Sequence, residues 1–251
     1  MRSLSVLNLI QKGRFMITGE EHTGHRRPDT QRFFYTTDQI SSHQYCYTIR
    51  NTTLYYLFMK ILIAVPPTGY HDKELSLVIA VFDHNKAEYE FASNQAGYAK
   101  GTLGGRVYVP LSFEDVILHK ESEYDAMAIL GGHGGQAHFW NSKDLLELVK
   151  IFRLHRKVLG AISTSPVVLA RAGILKKRPA TVINGPPIRE MMKADVKFED
   201  KPVVFLDRIV TARNPDDGKR FAELIIEYIL GNPEFNGPQV VPAPNKLGFD
   251  I

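Results

Sequence analysis

The chain has 251 residues, of which 44% are hydrophobic and 23% charged. This profile is typical of a globular protein and excludes a disordered, collagen-like or coiled-coil chain. The net charge of +4 comes mostly from residues 1–58, with seven basic and four acidic residues, whereas the remainder holds 24 and 23. Because that remainder shows no basic stripe, we expect no nucleic-acid partner.

Cysteine content and hydropathy limit the class of protein further. Cys46 is the single cysteine, so no intramolecular disulfide can form, and a cytoplasmic location is expected. The longest apolar stretch, residues 54–65, carries Lys60 and is shorter than the roughly 18–20 residues of a membrane helix. We therefore expect neither a membrane association nor a signal peptide.

Residues 1–58 differ in composition from the rest, because they are rich in Gln, His, Thr, Tyr and Arg and lack sustained periodicity. Three interpretations remain: a basic accessory arm, a disordered tail, or sequence upstream of a true start at Met59. The last is favoured, because Met59 directly precedes a buried-strand pattern. We predict a folded domain over 59–232 and an extended, proline-punctuated arm over 233–251.

From Met59 onward, apolar runs alternate with amphipathic segments. Strands are predicted at 60–65, 89–92, 106–109, 124–130, 157–162, 181–183, 203–206 and 209–212. Helices are predicted after an Asp72 cap, after the glycines at 131–135, from Pro166 to Gly173, and from Pro215 to Gly231. This order predicts an α/β fold, a mostly parallel sheet covered on both faces, with its site at the carboxyl ends of the strands.

Ser163 follows a buried strand and precedes the helix that begins at Pro166. That order is typical of a nucleophile elbow, in which a strained turn lifts one side chain above the sheet. A GxSxG motif is absent, since the local sequence is AISTSP. A simpler interpretation is a serine-rich helix cap, with Ser165 as the capping residue.

The glycines at 131–135 follow another buried strand, where free backbone N–H groups could form an oxyanion hole or a phosphate nest. GHGGQA also fits a nucleotide-binding pattern weakly, and a tight turn needing positive φ explains the glycines equally well. His133 and His138 are possible proton carriers, although surface roles are commoner for such residues. Glu74 is an ordinary first-turn acid when considered alone. No metal or cofactor site is predicted.

Taken together, KILIAVPPTGYHDKEL, YDAMAILGGHGG, VLGAISTSPVVLARAGILKKRPAT and IVTARNPDD resemble the ThiJ/PfpI family of the class I glutamine-amidotransferase-like superfamily. The third segment is the most specific, because in family members it consists of a strand, the sequence A-I-C-H-G-P and a helix ending A-G-x-L-K. The resemblance implies a flavodoxin-like three-layer sandwich and a homodimer or larger homo-oligomer.

The resemblance also implies roles for five residues. Ser163 stands at the position of the family's reactive cysteine, and Thr164 where many members have a histidine. Glu74 corresponds to the carboxylate that hydrogen-bonds the nucleophile. The Gly132–His133 backbone and the Thr164 amide would form the oxyanion site.

A serine hydroxyl is a weak nucleophile without an adjacent base, so the family's usual cysteine chemistry is not expected. We expect a stress-related binding or chaperone-like protein that takes a small molecule at the elbow. The alternative is a Ser163-dependent hydrolase or lyase acting on a small carbonyl or amide, with His133 or His138 as base.

Overall fold

A computed structural model of the chain describes residues 59–231, together with strands at 38–41, 44–49, 52–57 and 239–241. The predictions for residues 1–58 and 233–251 therefore fall largely outside the described residues. The strands at 38–57 form a three-stranded antiparallel sheet of their own. The proposed domain boundary at Met59 stays a prediction.

The strands alternate with helices along most of the chain. In chain order they are β1 (Asp38–Ser41), β2 (Gln44–Ile49), β3 (Thr52–Leu57), β4 (Lys60–Ala64), β5 (Thr68–Tyr70), β6 (Glu88–Ser93), β7 (Gly97–Gly101), β8 (Arg106–Val109), β9 (Leu111–Ser112), β10 (Ala126–Ile129), β11 (Val158–Ile162), β12 (Pro179–Ala180), β13 (Lys197–Phe198), β14 (Val203–Leu206), β15 (Ile209–Ala212) and β16 (Gln239–Val241). The α-helices are α1 (Asp72–His84), α2 (Phe113–Asp115), α3 (Lys143–Leu154), α4 (Pro166–Arg171), α5 (Pro186–Lys193) and α6 (Gly218–Ile229). Short π-helical segments cover Val116–Lys120 and Gly135–Phe139, and 3-10 turns cover Glu121–Glu123 and Pro215–Asp217.

Eight strands form the central sheet in the order β16-β14-β15-β11-β10-β4-β6-β9. All neighbouring pairs are parallel except those that β14 makes with β15 and β16. The parallel run is in close register at its centre, where Ile129 of β10 pairs with Ala64 of β4 and with Ala161 of β11. The predicted α/β fold with a mostly parallel sheet is confirmed.

Alternating side chains of β4 show why both sheet faces are covered. Ile61 and Ile63 lie in the core that packs against α1 and α6, whereas Leu62 and Ala64 lie in the core that packs against α3, α4 and α5. All four side chains are fully buried. The three layers hold the carboxyl ends of β4, β10 and β11 rigidly beside one another, which positions the loops that follow them.

Several local predictions were wrong. Residues 181–183 form no strand; instead the Thr181 hydroxyl donates to the carbonyl of Lys201, and its N–H donates to Thr211 Oγ1. Asp72 is the first residue of α1 rather than its cap, because its carboxylate accepts from the N–H groups of Leu103 and Gly105. Helix α5 was not predicted at all.

Candidate functional site

Three loops meet at the carboxyl edge of the sheet, as the alternation of strands and helices predicts. They follow the adjacent strands β4, β10 and β11. The first leads through β5 to Glu74 on α1, the second is the glycine loop at 131–135, and the third begins at Ser163. Residues distant in sequence are therefore brought to one place by the sheet order.

Ser163 occupies the turn between β11 and α4 with φ of 61°, in the left-handed region that residues other than glycine seldom adopt. Its N–H donates to the carbonyl of Ala212 at 2.9 Å, and its carbonyl accepts from the N–H of Ile183 at 3.1 Å. These bonds hold the strained backbone in place. The unfavourable conformation expected at Ser163 is confirmed.

Glu74 is completely buried beneath this turn region. Its Oε1 accepts from the N–H of Gly131 at 2.5 Å, while Oε2 has no hydrogen-bond partner among the described residues. Burial raises the pKa of Glu74 to about 8, and the Gly131 hydrogen bond offsets only part of that effect. Glu74 is therefore mostly protonated at neutral pH.

Gly131 links Glu74 to Ser163. A Cβ placed on Gly131 would lie 2.8 Å from Ser163 Cβ and 2.9 Å from the Thr164 nitrogen. No side chain fits there without moving backbone. The next residue, Gly132, has φ of +83° and would bring a Cβ within 2.4 Å of the Gly69 carbonyl oxygen. The glycines therefore permit a close approach of the three loops, rather than only a turn.

The Thr164 side chain supports this arrangement. Its hydroxyl donates to the carbonyl of Gly132 at 2.9 Å, and its own carbonyl accepts from Trp140 Nε1 at 2.9 Å. The backbone N–H groups of Gly132 and Thr164 donate to no acceptor within residues 59–231. Two donors thus remain free beside Ser163. Ser165 is the N-cap residue of α4, as the simpler interpretation expects, but its hydroxyl donates to the carbonyl of Leu130 and makes no cap hydrogen bond.

The two histidines predicted from the sequence are placed differently. His133 is exposed, and His138 Nε2 lies 2.9 Å from Thr68 Oγ1. Of the hydrogen bonds within the described part of the chain, none joins either imidazole to the Ser163 hydroxyl. The structure therefore gathers Glu74, Ser163 and Thr164 around the glycine loop without showing a base on the serine.

Sequence reasoning missed His71, which directly precedes α1. Its backbone nitrogen would lie 2.9 Å from a Cβ on Gly132, and its Nδ1 is buried without a hydrogen-bond partner among the described residues. The available signal was its place three residues before Glu74, at the N-cap of the helix that carries this carboxyl group. No group of His, Cys, Asp and Glu suited to a metal occurs in the described ranges. Nor does any helix in those ranges have the length and apolar character to cross a membrane.

Comparison with known proteins agrees with this arrangement. A profile described as the DJ-1/PfpI family matches residues 59–228. A protein of Methanocaldococcus jannaschii is 39% identical over 176 residues, which cover 70% of this chain and 84% of the relative. A glutathione-independent glyoxalase of Caenorhabditis elegans is 26% identical, with 70% and 91% covered. The crystal structure of a ThiJ/PfpI domain protein from Brachyspira murdochii superposes with a TM-score of 0.64 at 26% identity, covering 68% of this chain and 96% of that one.

Proposed function

Because the chain belongs to the DJ-1/PfpI family, we propose that Ser163 replaces the family's reactive cysteine and that the elbow binds a small carbonyl or carboxylate compound without covalent chemistry. The region matched by the family contains no cysteine, since Cys46 lies before it. Thiol-based chemistry within that region is thereby removed, and what remains is a site with hydrogen-bond donors.

The state of Glu74 carries this proposal. A serine becomes a useful nucleophile when a neighbouring base takes its proton. A carboxyl group with a pKa near 8 is mostly protonated at neutral pH and so acts as a donor rather than a base. Together with the free N–H groups of Gly132 and Thr164, it favours binding of a ligand oxygen.

The experiment compares turnover with binding. Glyoxals, peptides and small amides are offered to the native protein and to Ser163→Ala, and glyoxylate binding is measured by calorimetry. We expect no turnover that depends on Ser163. We expect glyoxylate binding that weakens several-fold in Thr164→Val, which releases the glycine loop. Thr68→Val, which removes a hydroxyl bonded to His138, is the matched control and should bind normally.

A second function, a Ser163-dependent hydrolase or lyase, is favoured by one observation. Backbone strain of the kind seen at Ser163 is concentrated at active sites. In that case His133 or His138 would act as base after a ligand-induced movement, with Glu74 as the orienting group. Turnover by the native protein that Ser163→Ala abolishes would establish this function and reject the non-catalytic one.

We also propose that copies of the chain associate, as the resemblance implies, in a cytoplasmic protein with a stress-related or chaperone-like role. The hairpin β7–β8 supports association because it leaves Tyr98, Leu103 and Tyr108 exposed by 67%, 80% and 57%. Exposed apolar groups gathered on one hairpin favour a protein contact. Light scattering should give at least a dimer mass, and Leu103→Lys should shift it toward the monomer.

A further inference from the structure

A cavity that is open to solvent lies at the opposite edge of the sheet from Ser163. It has a volume of about 240 Å³, and its polar lining comes from Ser122, Asp125, His155, Arg156, Lys157 and Arg208. These residues precede β10 and β11 or lie in the turn between β14 and β15. The cavity is therefore formed by segments at the amino ends of three strands, far along the sheet from the elbow.

The basic residues around this cavity are not equally neutralised. Glu121 accepts from His155 Nδ1 at 2.5 Å and pairs with Lys157 Nζ at 3.3 Å. Arg156 and Arg208 have no carboxylate within 4.0 Å in the described part of the chain. Two guanidinium groups at the cavity are thus left without a counter-charge in direct contact.

Arg208 is the more unusual of the two. It is half-buried, and its Nε is buried without an acceptor among the described residues. Burial lowers the pKa of Arg208, and repulsion from Arg156 lowers it further, although Asp125 and Asp207 act in the opposite direction. Because Nε itself is shielded from solvent, an anion in the cavity would contact the terminal nitrogens of the Arg208 guanidinium and offset its positive charge there.

The helix dipole partly explains why a basic residue stands at position 156, but it does not explain the basic residue at position 208. Arg156 follows the end of α3 with φ of 55°, just as Lys86 follows the end of α1 with φ of 57°. Basic residues are favoured at helix carboxyl ends, so both positions could be purely structural. Arg208 is different because it lies in the turn of a β-hairpin, with no helix end of its own.

We propose that this cavity binds a phosphoryl group, as inorganic phosphate or as a small phosphate monoester. Guanidinium groups bind phosphate oxygens in bidentate geometry, and two of them match its double negative charge. The cavity volume is several times the roughly 30 Å³ that one water molecule occupies in the liquid, so the cavity has room for an ester substituent. Asp125 opposes binding through its negative charge and so sets the affinity.

Calorimetry at fixed ionic strength tests this site in the full-length protein, with inorganic phosphate and glycerol 3-phosphate as separate probes. We expect Arg156→Gln to weaken binding by about tenfold, the loss of one charge-assisted interaction. Asp125→Asn should tighten binding several-fold, since the amide oxygen can still accept the Lys60 N–H that Asp125 accepts at 2.9 Å. Lys86→Gln, a matched basic residue outside the cavity, should leave it unchanged.

The two probes identify the natural form of the ligand. Tighter binding of glycerol 3-phosphate indicates a monoester, whereas tighter binding of phosphate alone indicates the free ion. The proposal is overturned if neither probe binds better than sulfate, or if Arg156→Gln and Lys86→Gln weaken binding equally. Far-UV circular dichroism on each variant confirms that the fold is retained.

Discussion

The two edges of the central sheet carry acidic groups in opposite states. At the carboxyl edge, Glu74 is buried with one backbone hydrogen bond and, among the described residues, no cation within 4.0 Å, and burial raises its pKa. At the amino edge, Glu90 forms an ion pair with Lys120 Nζ at 3.1 Å and accepts a hydrogen bond from the Tyr124 hydroxyl. Partial burial acts to raise the pKa of Glu90, but Tyr124, Lys120 and Lys60 outweigh it, and the pKa falls.

This difference shows how one sheet can keep a buried acid neutral while other acids remain charged. Ion pairs stabilise charge at the amino edge, where a network joins β4 and β6 to the helical segments that precede β10. The carboxyl edge is made of glycine loops and buried serines, which supply backbone donors but no positive charge. Glu74 is therefore neutral both because its side chain is buried and because these loops place no positive charge beside it.

The largest effect should come from Gly131→Ala, which separates Glu74 from Ser163. The new Cβ would lie 2.6 Å from the Ile162 carbonyl oxygen and 2.9 Å from the Thr164 nitrogen, both backbone atoms that cannot rotate away. We expect a loss of about 3 kcal/mol in the free energy of unfolding. Urea denaturation measures it. Gly218→Ala is the control, because the nearest atom to its Cβ would be Leu77 Cβ at 3.3 Å, and the next contacts are ordinary ones at 3.6 Å. Equal effects of the two substitutions would contradict the close packing.

The next effect concerns pH. Because the pKa of Glu74 is raised on folding, its contribution is fully present below its ordinary value of 4.5 and is lost as pH rises through about 8. Glu74→Gln, which stays neutral, should therefore become the more stable protein as pH increases. We expect the difference to change by about 4 kcal/mol between about pH 5 and pH 8.5. Unfolding curves at several pH values measure it. A difference that does not vary with pH would show that Glu74 is already ionised.

Much of the fold could be predicted from the sequence, because continuous apolar runs are typical of buried parallel strands and their carboxyl ends locate the site. The conformation of Ser163 was predictable for the same reason. Helix α5 was missed because it begins with two prolines and has few apolar residues, of which Met191 is fully buried. Residues 181–183 suggested a strand by their β-branched side chains, but side-chain hydrogen bonds replace the ladder there.

The raised pKa of Glu74 could be expected from burial alone, but the hydrogen bonds and charges around the site could not be predicted, because they depend on contacts between distant residues. Glu74 and Gly131 are 57 positions apart in the sequence. Likewise, Arg156 and Arg208 line the same cavity only because β11 lies beside β15. Sequence patterns located the loops, whereas the packing of those loops determines which groups are charged.

A third prediction examines whether the carboxyl edge would stabilise a negative charge. In a Cys46→Ser background, Ser163→Cys should give a thiol with a pKa below the free value of about 8.5. The free N–H groups and protonated Glu74 favour the thiolate, and peroxide should oxidise it readily. Thiol titration measures the shift, which we expect to be about one pKa unit.

Glu74→Leu in the same background should raise that thiol pKa, because it removes the hydrogen-bond donor. If the Ser163→Cys thiol titrates like free cysteine and ignores Glu74→Leu, the proposed site is rejected. Oxidation of the background protein without the new cysteine gives the baseline.

The smallest effect should be at the amino edge, where Glu90→Gln removes a charge that is partly exposed to solvent. Its side chain is 30% exposed, and ion pairs of this kind contribute about 1 kcal/mol or less. The pKa of Glu90 is lowered on folding, so its contribution is present above the ordinary value of 4.5 and is lost as pH falls through the folded value. The stability difference between native protein and Glu90→Gln should therefore shrink toward acid, the reverse of the trend for Glu74→Gln.

Salt should reduce the Glu90 effect and leave the Glu74 effect nearly unchanged, because only the former arises from screened charges. Parallel pH trends for the two variants would remove the contrast between the edges.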